Sequence, residues 1–291
     1  MKNPGLHIRL IALSSLLLLG GCSIRQKLVV TTVEPLIEIA MESVLAETDL
    51  PLAKTAMESD LKLLDAMIRT SPRNMHLKSL ACEGYTGYTM LFVEDDSPER
   101  ARKLYLRARD YGLKGLSSAD PRVGVSGSFS QFSDGVNEIP AGMIQTVYWT
   151  AVAWGNWANL SRSDPLASAQ FVRVKTLMDW VAAHDSTYFH AGPVWFFGVY
   201  YATLPPILGG NVELSRKCFE KAADMTDGKF LCGKLLYART YAVQTLDRSL
   251  FDRLIGDIQK GVPESREDLN LLNHVAQLKA EQLDKRADEL F

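Results

Sequence analysis

Residues 101–116 read ARKLYLRARDYGLKGL, and within them Ala101, Tyr105 and Ala108 follow one another at steps of four and three. On a helix those steps place a small residue, an aromatic ring and a second small residue on one face. Such a face lets a neighbouring helix approach closely, because the small residues leave room and the ring fills the space between them. The same order recurs at Ser215, Phe219 and Ala222. Ser97 and Pro98 supply an N-cap and a first-turn proline for a helix over 97–117, on which Leu104 and Tyr111 extend the apolar stripe. Arg100, Arg102, Lys103, Arg107 and Arg109 take the other positions and form a solvated basic face rather than an anion site.

Outward from these two stretches, helical periodicity continues and no segment alternates long enough to demand a strand. Breaks fall at Ser71-Pro72, Asp95 to Pro98, Asp120-Pro121, Asp164-Pro165, His184 to Ser186, Leu208 to Asn211, Thr226 to Lys229 and Gly261 to Arg266. The segments between them suit helices of several turns, so the chain is expected to be all-α. The small-aromatic-small spacing is that of the second helix in a tetratricopeptide-type hairpin, which predicts degenerate hairpin repeats forming a compact solenoid. An irregular antiparallel bundle satisfies the same periodicity. In 266–290, Leu269, Leu272, Ala276, Leu283, Ala287 and Leu290 mark one side of a closing amphipathic helix. Arg122 to Glu138, RVGVSGSFSQFSDGVNE, reads as a long Gly/Ser loop whose Phe129 and Phe132 either pin it to the fold or close over a cavity.

The N-terminus is set apart from this fold. Lys2 and Arg9 precede an apolar run from Leu10 to Leu19, too short to span a bilayer, which ends in Leu19-Gly20-Gly21-Cys22. That ending resembles the lipobox of bacterial lipoproteins and makes Cys22 the expected acylation site. It predicts a signal peptide over 1–21 and a single helical domain over 22–291. Several acyl chains on one residue anchor a protein stably, and Ser23 after Cys22 favours the outer membrane. Without residues 1–21 the chain carries 30 basic and 34 acidic residues, since Lys2 and Arg9 leave the 32 basic ones. No basic cluster remains to neutralise phosphates, so nucleic acid is excluded as a partner. In an oxidising compartment Cys82, Cys218 and Cys232 are expected as buried free thiols, although Cys218 and Cys232 fall on consecutive helices and could face each other.

Aromatic residues concentrate in two stretches. Segments 141–160 and 188–204 hold 11 of the 26 Phe, Trp and Tyr residues and no Lys, Arg, Asp or Glu. A helix apolar all round is buried, and 194–204, between Pro193 and Pro205-Pro206, is too short to cross a membrane. These rings therefore either fill a core or line a ligand cavity. The cavity candidates are Tyr148, Trp149, Trp154, Trp157, Trp195, Phe196, Tyr200 and Tyr201, with Gln145, Asn156 and Asn159 as polar neighbours.

Catalysis is not indicated. His7, His76, His184, His190 and His274 form no H-E-x-x-H or Cys/His ligand spacing, so no metal and no cofactor is expected. The Gly/Ser loop matches neither a phosphate-binding fingerprint nor a nucleophile elbow. Glu94-Asp95-Asp96 precedes a helix start, where the dipole favours acids without any catalytic role.

Taken in order, the lipobox, ARKLYLRARDYGLKGL, the aromatic stretch YWTAVAWGNWANLSRSDP (148–165), CFEKAADM (218–225) and the terminal ADELF (287–291) resemble the TatT family, the T-component lipoproteins associated with TRAP transporters. The resemblance runs from Cys22 to Phe291. It implies a helical fold of tetratricopeptide-like repeats, a periplasmic lipoprotein assembling as a homotrimer, and an internal pore or cleft. It also implies partnership with a periplasmic TRAP substrate-binding protein and a small organic-acid or apolar ligand. A non-enzymatic alternative is an envelope scaffold that holds another protein on its concave face and uses its aromatics only as core.

Overall fold

The computed structural model describes residues 33–291, and among them every regular element is helical, with no strand. Cys22 and the segment 1–21 lie outside the described residues. Helix α1 covers 33–46. It is followed by α2 (Leu50–Thr70), α3 (Met75–Phe92), α4 (Pro98–Ala119), α5 (Phe129–Asn137), α6 (Ile144–Leu160) and the short α7 (Pro165–Ser168). The second half comprises α8 (Phe171–His184), α9 (Tyr188–Thr203), α10 (Val212–Met225), α11 (Leu231–Tyr237), α12 (Arg248–Lys260), α13 (Asn270–Asp284) and α14 (Ala287–Leu290).

Local chemistry sets most of the helix starts. Asp49, Asn74, Asn211 and Asp247 each accept a backbone N–H three residues on, at 2.9–3.1 Å. Ser97 occupies the cap position of α4, but its hydroxyl makes no capping bond and Pro98 alone shapes that first turn. The expected loop over 122–138 contains α5, closed by a reciprocal capping box between Ser128 and Gln131. Phe132 is fully buried from that helix, whereas Phe129 stays exposed, so one aromatic pins the segment rather than two. The closing helix is divided: α13 ends at Asp284 and α14 restarts at Ala287.

The packing follows from the two small-aromatic-small faces. Ala101, Tyr105, Ala108, Ser215, Phe219 and Ala222 are all fully buried. At the α4–α6 crossing a Cβ on Gly112 would fall 2.0 Å from the Thr150 hydroxyl. On α9 a Cβ on Gly198 would meet the Phe219 ring at 2.9 Å, while Ser215 donates to the Gly198 carbonyl at 2.7 Å. Small residues are thus required where these helices cross. Beneath α2–α4, the buried Asp65 carboxylate accepts from Tyr85 (2.9 Å), Tyr111 (2.8 Å), Arg107 (2.6 Å) and Lys62 (2.7 Å), tying three helices to one side chain.

The chain then returns on itself. Asn270 on α13 donates to the Ala46 carbonyl at 3.1 Å, and Lys279 donates to the Met90 carbonyl at 2.7 Å. The last long helix therefore packs against the first three, and the helices between them border open space.

Candidate ligand chambers

Two partly open cavities lie between these helices. The larger, about 650 Å³, has walls from α3, α6, α9, α11 and α13; the smaller, about 430 Å³, is bounded mainly by α1, α2 and α3. Gly87, Leu91, Trp149, Phe189 and Leu272 line both, so the chambers abut at a junction made by these residues.

The junction owes its shape to an unusual stretch of backbone. Phe189, His190 and Ala191 have φ of 45°, 56° and 60°, a left-handed turn at the start of α9, and the right-handed helix resumes beyond them. Each such residue costs roughly 1–2 kcal/mol relative to the right-handed form, so the surroundings must hold the turn. The Ala191 N–H donates to the Thr187 carbonyl at 3.0 Å, and the Trp195 indole N–H donates to the His190 carbonyl at 3.0 Å. Phe189 packs edge-on to Trp149 with ring centroids 4.7 Å apart. Pro193 sits near the beginning of the right-handed segment, where its missing N–H is not needed.

The sequence-derived candidates divide into two sets. Tyr148, Trp149, Trp195, Phe196 and Tyr200 line the larger chamber together with Asn156 and Asn159, and Gln145 lines the smaller one. Trp154, Trp157 and Tyr201 line neither. Trp154 is fully buried in contact with Phe132, Trp157 packs partly buried beside Arg109, and Tyr201 stacks on Phe197. Helix geometry explains this division: residues 154 and 157 point to the α4 side of α6, while 148, 149, 156 and 159 turn toward α9.

Several lining groups escaped the sequence reading. Phe189 and Phe230 add rings to the larger chamber, and Glu94, Arg162, Arg239 and Lys279 add charge. Arg239 lies on a π-helical turn, Ala238–Ala242, that continues α11. Its nearest carboxylate is Glu94 at 3.8 Å, and it makes no hydrogen bond among the described residues. Lys279, by contrast, is engaged by Asp95 at 2.5 Å. Such wide turns frequently mark functional sites, which was the usable clue, but only a structure reveals one. Burial pushes the Tyr148 hydroxyl well above its ordinary pKa, and it has no hydrogen-bond partner among the described residues. Cys232, also in this wall, donates to the Leu272 carbonyl at 3.1 Å, and burial raises its thiol to about 12. All three described cysteines are free; Cys82 is buried, while Cys218 and Cys232 are only partly so.

What this interior can do is hold an amphipathic molecule. The larger chamber offers aromatic walls with a few unpaired polar groups. No group of three or more His, Cys, Asp or Glu positioned for a metal occurs among the described residues. No helix among them is long and apolar enough to cross a membrane.

Comparison with known proteins places this architecture. An uncharacterized protein of Treponema pallidum (strain Nichols) is 24% identical over an alignment that covers all of this chain and 99% of that protein. The family described as TRAP transporter T-component matches residues 46–291, which hold α2 to α14 and most of the residues that line the chambers. With that match spanning nearly all of the described helices, the chain belongs to the TRAP transporter T-component family.

Proposed function

We propose that the protein is the lipid-anchored, periplasmic accessory component of a TRAP-type transport system. In this reading Cys22 carries the anchor and residues 22–291 form one domain of degenerate tetratricopeptide-like hairpins. The larger chamber holds or passes a small, partly apolar ligand, and a substrate-binding protein docks to the assembled homotrimer. The observation that carries it is the 650 Å³ aromatic chamber in a chain of this family. A scaffold that used its aromatics only as core would have a filled interior. Five of the eight aromatic candidates instead border open space. The family implies a transport accessory rather than an enzyme.

The test is affinity capture of the lipidated protein from gently solubilised native envelopes, with mass spectrometry of what it retains. A periplasmic TRAP substrate-binding protein is the expected partner. Recovery of outer-membrane assembly proteins in its place would favour the scaffold.

A further inference from the structure

The smaller chamber differs from the larger in charge. Glu83, Asp60, Glu38 and Glu42 all line it, with His76 beside them and no Lys or Arg among its described lining residues. The larger chamber sets Arg162, Arg239 and Lys279 against Glu94 alone. Glu83 lies deepest. Gln145 donates to its Oε2 at 2.6 Å. Next to it the buried Trp149 indole N–H faces the carboxylate and favours its charged form, as does Gln145. Asp60 likewise makes no hydrogen bond or ion pair among the described residues, and burial pushes both acids above their ordinary values. His76 is bonded to Glu38 nearer the rim.

The rest of the wall is apolar, with Met41, Met57, Leu61 and Leu64 around the acids. Unbranched methionines adapt to irregular hydrocarbon shapes. An ammonium entering this space gives up water but donates charge-assisted hydrogen bonds to the Glu83 and Asp60 carboxylates. An anion of the same size meets like charge in a poorly screened interior.

We infer that the smaller chamber binds the protonated amino head of an amphipathic amine at Glu83 and Asp60, with its hydrocarbon among Met41, Met57, Leu61 and Leu64. This deepens the reading of the interior as a ligand compartment and rests on it. The acids and methionines divide the work: charge selects the head group, and the apolar wall accepts the tail.

Octylamine and octanoate, equal in chain length and opposite in charge, test the assignment by calorimetric titration of the mature chain carrying Cys22→Ala. Octylamine is expected to bind about tenfold more tightly than octanoate, the size expected of one charge-assisted hydrogen bond. Glu83→Gln should weaken octylamine about tenfold and should not weaken octanoate. Asp60→Asn, on a separate helix, provides a second variant, and circular dichroism verifies that each folds. Equal affinity for the two probes, or octylamine binding unmoved by both variants, would overturn the assignment. If octanoate alone binds, unaffected by Glu83→Gln, the amine site falls while the ligand compartment stands. If neither probe binds, both readings fall.

Discussion

The indole N–H of Trp195 donates to the backbone carbonyl of His190 at 3.0 Å, so a ring from the right-handed part of α9 holds the left-handed turn before it. Trp195 is 2% exposed, and water cannot readily replace the lost donor. Trp195→Phe keeps an aromatic ring but strands that carbonyl. The expected loss is about 1–3 kcal/mol, read from urea unfolding with an unchanged helical signal. A loss below a few tenths would show that the bond does not support the turn.

Gly198 and Gly256 make a matched pair. A Cβ on Gly198 meets the Phe219 ring at 2.9 Å, whereas one on Gly256 meets nothing within 4 Å. Gly198→Ala should therefore destabilise by roughly 1–3 kcal/mol through overpacking. Gly256→Ala, within α12, should stabilise by about 0.5–1 kcal/mol through helix propensity. Thermal melts of the two variants should shift in opposite directions.

Asp65 and Glu83 predict acid responses of opposite sign. Hydrogen bonds from Lys62, Tyr111 and Tyr85 and the charge of Arg107 outweigh desolvation and hold the Asp65 carboxyl below 3.8. Its contribution is present above that value and is lost as pH falls through the lowered folded value. Asp65→Asn should cost about 2 kcal/mol at neutral pH, less than a fully enclosed pair because Lys62 and Arg107 reach solvent. It should also flatten the stability profile below pH 3.8. Glu83 is raised above 4.5 by burial, so its favourable contribution belongs to the protonated form and is lost as pH rises through the folded value. Glu83→Gln should consequently raise the melting temperature at neutral pH and diminish the gain seen on mild acidification.

Trp154 is fully buried and Trp195 borders the larger chamber, which separates folding from retention. Trp154→Ala should cost roughly 3–5 kcal/mol in denaturant unfolding. Any ligand retained by the larger chamber should keep its affinity in conditions where the variant is still folded. A loss of affinity with little loss of stability would place Trp154 in the binding wall instead.

Cys22→Ala should move the protein from the membrane to the soluble fraction of the envelope, because acyl chains on that residue are its expected attachment. Unchanged fractionation would refute the lipobox reading.

The architecture was legible where side-chain volume dictates it. Ala101, Tyr105 and Ala108 announce a close crossing in any window of sequence, and each is fully buried in the fold. The division of the aromatic candidates was less legible, because α6 is apolar on every side and its sequence does not say which side meets α4 and which meets space. The smaller chamber was invisible for a different reason. Glu38, Glu83 and Asp60 lie on three helices, and each alone resembles an ordinary surface acid. The left-handed turn left no trace either, since Phe189 and Ala191 are not residues that favour positive φ.

That turn has a further consequence. Phe189 borders both cavities, and its position depends on the screw sense of a few residues as well as on the bulk of its ring. Its ring stands 4.7 Å from that of Trp149, centroid to centroid, where spaces of about 650 and 430 Å³ meet. The boundary between the two spaces is thus tied to the hand of the backbone at a single bend.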